Sequence, residues 1–114
     1  GDMMELGPHT IDAHRAAGTQ AALICNFLIT VGVRAKFIAE EAARKKMSRR
    51  LIKHFDEARE AANFLQELVA PGDVILVKGS QSVRLERVVE EIMAEPDKKN
   101  RLLVRQEPEW LSRG

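Results

Sequence analysis

The chain has 114 residues, 45% of them hydrophobic, with 18 Lys and Arg against 17 Asp and Glu for a net charge of +1. That length allows one domain with a single modest core, and the charge balance argues against a strongly basic nucleic-acid binder or an acidic tail. No apolar run approaches the about 20 residues of a membrane span, no signal peptide is legible, and one cysteine, Cys25, excludes an internal disulfide or a cysteine-cluster metal site, so a cytoplasmic protein is expected.

The opening Gly1-Asp2-Met3-Met4-Glu5-Leu6-Gly7 reads as the exit of a strand followed by a loop. It predicts a piece of a larger protein, cut just after a strand. Residues 10–25 follow with a helical repeat at His14, Ala17, Gly18, Ala21 and Cys25, which places Cys25 on the packed side. Phe27–Val31 reads as a strand, residues 33–46 as a weaker helix with Phe37, Ile38 and Ala42 on one face, and Leu51–Phe55 as a second strand. Residues 57–69 carry the cleanest apolar stripe, from Ala58 to Val69, with Asp56 as the expected N-cap and Pro71-Gly72-Asp73 as the closing turn. Val74–Val77 reads as a third strand. Like the first, it is nearly continuous in apolarity, which predicts burial on both faces. Residues 83–94 form a last amphipathic helix ahead of Pro96.

This alternation predicts an α/β domain over residues 1–94, a three-layer arrangement with a mainly parallel sheet and helices on both faces. Residues 95–114 are expected to extend past the domain and pack on it. They would hold a short helix around Asp97–Val104 and a tail anchored by the Trp110 ring.

Ligands of open parallel sheets bind at the C-terminal ends of the strands. Here those ends are Val31-Gly32, His54-Phe55-Asp56 and Lys78-Gly79-Ser80, with Gly1-Asp2 as a fourth if a strand precedes it. In Lys78-Gly79-Ser80 a lysine ends a strand, a glycine permits close approach, and serines stand where a helix is expected to begin. Lysine charge and helix-end amides suit a carboxylate or phosphate; a plain turn with a serine cap explains the same residues. Asp2 and Glu5 could orient an ammonium group or a magnesium-bound water, or simply be solvated in their loop. His14, on the apolar side of its helix, reads as a hydrogen-bonded packing residue, with His9 and His54 at the surface or a strand end. The three histidines lack metal-site spacing. The basic run from Arg44 to Lys53 has no interleaved aromatics and reads as a solvated helix end. No GxxxxGK[ST] loop occurs.

Two segments carry a resemblance. Gly1-Asp2-Met3-Met4-Glu5-Leu6-Gly7 is similar to the GDM-x-ELG motif of Mur ligases of the MurF type, and Val77-Lys78-Gly79-Ser80 through Glu86 resembles their VKGS-x-x-x-x-x-E segment. His14-Arg15, Gly18, Thr30-Val31-Gly32 and His54-Phe55 fall where the family has matching residues. The resemblance covers residues 1 to about 93. It implies the Rossmann-like third domain of an ATP-dependent ligase that adds D-Ala-D-Ala to UDP-N-acetylmuramoyl-tripeptide in peptidoglycan synthesis. ATP and Mg2+ would be held mainly by a central domain, and no catalytic residue, cofactor or metal site is expected in this segment, which alone should be inactive. Lys78, Gly79 and Ser80 would line the dipeptide side of the cleft, with Asp2 and Glu5 in the loop facing it. The sheet would lack its first strand, leaving a place for a partner, the C-terminal tail or an exposed edge. The alternatives are another ATP-dependent amide ligase of the folylpolyglutamate type, or a stand-alone, non-catalytic Rossmann-like binding module.

Overall fold

The computed structural model describes residues 1–94, Asp97, Leu103 and residues 108–112. In chain order its elements are α1 (Thr10–Ile24), β1 (Leu28–Val31), α2 (Lys36–Arg44), β2 (Ile52–Phe55), α3 (Ala58–Leu68), α4 (Glu86–Ile92) and the single turn α5 (Pro108–Leu111). Short 3-10 turns occupy Gly7–His9, Arg49–Leu51 and Gln81–Val83.

β1 and β2 run parallel, with Leu28 opposite Ile52 and Val31 opposite Phe55. Parallel neighbours require a crossover, and α2 supplies it. Because side chains alternate along a strand, the two faces of this small sheet differ. Ile29, Val31 and Phe55 face α3 and α4, where they meet Ala58, Ala61, Ala62, Leu65 and Val88. The Phe64 ring lies 5.5 Å from that of Phe55 and 6.0 Å from that of Phe27. On the other face lie α2 and, behind it, α1. Thr30 is 1% exposed there and its hydroxyl is 2.9 Å from His54 Nδ1, a polar cross-strand pair inside an otherwise apolar layer. The sequence expectation of an α/β domain with helices on both faces is met, and the Rossmann-like family fold is consistent with it.

α1 and α2 pack unusually close. A Cβ at Gly18 would lie 2.4 Å from the Ile38 carbonyl oxygen and 2.9 Å from Glu41 Cβ. Only a missing side chain lets the α2 backbone approach so near. Under that contact Glu41 is buried, and its carboxylate binds the Arg44 guanidinium at 2.9 Å.

Several expectations are corrected. The Val74–Val77 segment forms no strand among the described residues; β1 and β2 are the only ones. A strand exists only where a neighbour offers complementary N–H and C=O groups, and none of the described strands runs beside this segment. Three of its four apolar side chains are consequently exposed, Val74 at 98% and Leu76 at 83%, with Val77 half-buried. Only just beyond its end is the backbone held, where Lys78 O accepts from the Gly1 nitrogen and Ser80 N–H donates to Asp2 O, both at 2.8 Å.

Cys25 is exposed rather than packed. α1 has 15 residues and α2 only nine, about 22 Å against about 14 Å of helix, so α2 cannot cover α1 along its whole length, and Leu23 and Ile24 are exposed as well. Asp56 does not cap α3. The cap position is Glu57, without a side-chain bond, and Asp56 lies exposed 3.6 Å from His54 Nε2. The helix expected from residue 83 starts at Glu86, because Arg84 takes a left-handed conformation (φ +55°) between the 3-10 turn and α4. Most of the helix expected around Asp97–Val104 lies outside the described residues, and so does the side chain of Trp110 that is expected to anchor the tail.

Candidate functional site

At the C-terminal end of β1 the chain turns at Gly32, whose φ of +103° favours glycine. Arg34 and Ala35 then lead into α2. That helix start has no capping side chain of its own. The cap comes from 33 residues upstream: Asp2 Oδ1 accepts the Arg34 N–H at 2.9 Å and the Ala35 N–H at 2.7 Å. A carboxylate on two amides at the positive end of a helix is favourably placed. A Cβ at Gly32 would sit 2.6 Å from Asp2 Oδ1, so this glycine is also the space the carboxylate fills. Asp2 is 7% exposed. Its charge is engaged by this chain's own amides, which overturns its reading as a solvated loop residue.

The rest of the first loop is fastened at two further points. Met3 N–H donates to His14 Nε2 at 3.0 Å, while His14 Nδ1 lies 2.6 Å from Thr10 O. Both bonds are satisfied by the neutral ring with its proton on Nδ1. His14 is fully buried and is therefore a packing and loop-holding residue, as its place on the helix predicts. Met4 N–H donates to Ser80 Oγ at 2.8 Å. Glu5, at φ +62°, is exposed and enters none of these bonds.

The second loop, Lys78-Gly79-Ser80, is thus pressed against the first. A Cβ on Gly79 would meet Leu85 Cδ1 at 2.7 Å and Gly1 Cα at 3.2 Å. Ser80 uses its N–H on Asp2 O and accepts Met4 N–H, which leaves its own hydroxyl proton to donate. The Lys78 side chain is exposed. Glu86 pairs with Arg84 and accepts from Gln81 Nε2 at 3.4 Å, and so ties the loop to α4. The helix-end amides expected at the serines are elsewhere: α4 begins at Glu86 and has only seven residues.

Of the sequence-predicted site residues, Asp2, Gly79 and Ser80 are brought into contact, Lys78 stands beside them with an exposed side chain, and Glu5 is exposed in the first loop. His9 is exposed, and His54 is half-buried against Thr30. Among the described residues no group of three His, Cys, Asp or Glu could hold a metal ion. Sequence reasoning missed Arg34. Its Nη1 lies 3.3 Å from Met4 Sδ and 3.5 Å from Asp2 Oδ2, with the side chain 43% exposed. The available signal was a basic residue two positions after a strand-end glycine.

The family model described as Mur ligase, glutamate ligase domain, matches residues 1–81. The UDP-N-acetylmuramoyl-tripeptide–D-alanyl-D-alanine ligase of Bacillus subtilis (strain 168) is 31% identical over 100 residues, which cover 84% of this chain and 21% of that protein. The chain therefore spans about a fifth of the length of this curated relative. No solved structure matches. The two motif-bearing loops that meet in the structure both lie in the matched span, and the chain belongs to the Mur ligase family, as a C-terminal domain of the MurF type.

Proposed function

We propose that this domain positions D-Ala-D-Ala for ligation to UDP-N-acetylmuramoyl-tripeptide within a longer, ATP-dependent, cytoplasmic ligase of peptidoglycan synthesis. The relative's name and the GDM-x-ELG and VKGS motifs favour this dipeptide over the folylpolyglutamate-type alternative. One observation carries the reading: two loops 76 residues apart in sequence are locked together at the C-terminal edge of the sheet, through Met4 N–H on Ser80 Oγ and Ser80 N–H on Asp2 O. A wall made rigid in this way holds a small substrate at a fixed height and angle. That lowers the entropic barrier to attack by its amine.

ATP with Mg2+ would activate the tripeptide carboxylate. The described residues hold no phosphate loop or metal cluster for them, and these groups would be held mainly by another domain. This domain's own contribution is binding. Lys78 offers an ammonium and Ser80 a hydroxyl proton, both toward the carboxylate end of the dipeptide. Gly79 keeps the loop against Gly1 and Leu85. Glu5 stands in the cleft-facing loop as a surface charge. Among the described residues no helix is long and apolar enough to cross a membrane.

Lys78→Ala and Ser80→Ala in the intact ligase test the assignment. Each should raise KM for D-Ala-D-Ala by roughly tenfold, the size of one charge-assisted hydrogen bond, while KM for ATP stays put. Unchanged dipeptide affinity and rate in both variants would remove this loop from the site.

A further inference from the structure

We propose that Arg34 supplies the guanidinium that receives the carboxylate of the dipeptide, and so sets the preference for an acceptor with a free C-terminus. This rests on the dipeptide reading above. The argument begins with what the Lys78–Ser80 loop has left to give. Its most suitable backbone donor, the Ser80 N–H, is already bound to Asp2 O. No helix of useful length starts there. A carboxylate presents two oxygens in one plane, and Lys78, a point charge, with the Ser80 hydroxyl offers it no planar bidentate partner.

Arg34 is the cation the fold brings to the same place. Met4 stands between them, with its N–H on Ser80 Oγ and its sulfur 3.3 Å from Arg34 Nη1. A ligand touching Ser80 is therefore within one residue's span of the Arg34 side chain, and an extended dipeptide covers about 7 Å. Arg34 is also held ready. Its N–H is bound to Asp2 Oδ1, and Nη1 lies 3.5 Å from Asp2 Oδ2. Fixed at its root and along one flank, the side chain remains 43% exposed, and neither Nε nor Nη2 has a hydrogen-bond partner among the described residues. Those two nitrogens form the side of a guanidinium fork that matches a carboxylate bidentately. Asp2 adds to this by orienting the guanidinium while its own charge is taken up by the α2 amides, so it repels an incoming carboxylate less than a free aspartate would.

The test uses the intact ligase with two acceptors, D-Ala-D-Ala and its C-terminal amide. Arg34→Gln should raise KM for D-Ala-D-Ala roughly 10- to 100-fold, with kcat and KM for the UDP-linked tripeptide little changed. For the dipeptide amide the same substitution should change KM less than threefold. Arg34→Lys, which keeps charge but loses the fork, should fall between wild type and Arg34→Gln. An equal loss with acid and amide, or no change in KM for D-Ala-D-Ala, would overturn the role of Arg34 while leaving the ligase reading intact. Failure of the unaltered ligase to form product from D-Ala-D-Ala would overturn the reading itself, and this assignment with it.

Discussion

Asp2 shows how much one side chain does in this domain. It caps α2 from a distant part of the chain, lies over Gly32, and orients Arg34. Asp2→Ala would leave the Arg34 and Ala35 amides without an acceptor at a partly buried helix start. The expected cost is about 2 kcal/mol, read as a lower urea midpoint at unchanged slope. Asp2→Asn keeps one acceptor oxygen and should lose about half as much. Equal stability of Asp2→Ala and wild type would mean that water replaces the carboxylate without penalty. The sequence singled out Asp2 as a loop charge without showing that it caps α2. An aspartate in a glycine-bounded loop advertises charge, whereas its burial depends on Gly32, 30 positions away, being free of a side chain.

At the scale of elements, the α1–α2 pair combines a steric requirement at Gly18 with an electrostatic one at Glu41. Arg44, by hydrogen bond and charge, and then Lys45 and Arg15 hold the Glu41 carboxyl below its ordinary value of 4.5, against the opposing effect of burial. A carboxyl whose pKa is depressed in the folded state stabilises the fold above the unfolded value and loses that contribution as pH falls through the folded one. Wild type should therefore melt higher than Glu41→Gln at pH 7, and the gap should narrow as pH is lowered beneath about 4.5. A gap that is constant between pH 7 and pH 3 would contradict the pairing. The helices and the first two strands were legible within a few residues, because an apolar stripe of period 3.6 or a short apolar run bounded by turns is a local property. The third strand was misread because pairing is not local. Val74–Val77 has the composition of a buried strand and no neighbouring strand among the described residues to make it one.

For the whole molecule, the proposed division of labour predicts that the 114-residue chain binds and positions but does not turn over. With ATP, Mg2+, D-Ala-D-Ala and the UDP-linked tripeptide supplied, it should release no phosphate above background, since no phosphate loop occurs in its sequence. Phosphate release that depends on the dipeptide would show that the activating machinery is contained here after all. The relative that carries the likeness is about five times longer than the matched part, which is the size difference such a division requires.

By itself, the sequence determined the class of fold and the family, and it marked two loops as candidates for the site. Hydrophobic periodicity and short motifs such as Gly1-Asp2-Met3 and Lys78-Gly79-Ser80 survive without knowledge of what lies nearby. Tertiary structure alone decided what those loops do to one another. It set Asp2 on the start of α2 as a helix cap, occupied the Ser80 amide, exposed Cys25, and placed Arg34 beside Met4. Each of these depends on distances between residues far apart in the chain. A hydrogen bond is gained or lost within a few tenths of an ångström, a scale at which spacing along the sequence carries no information.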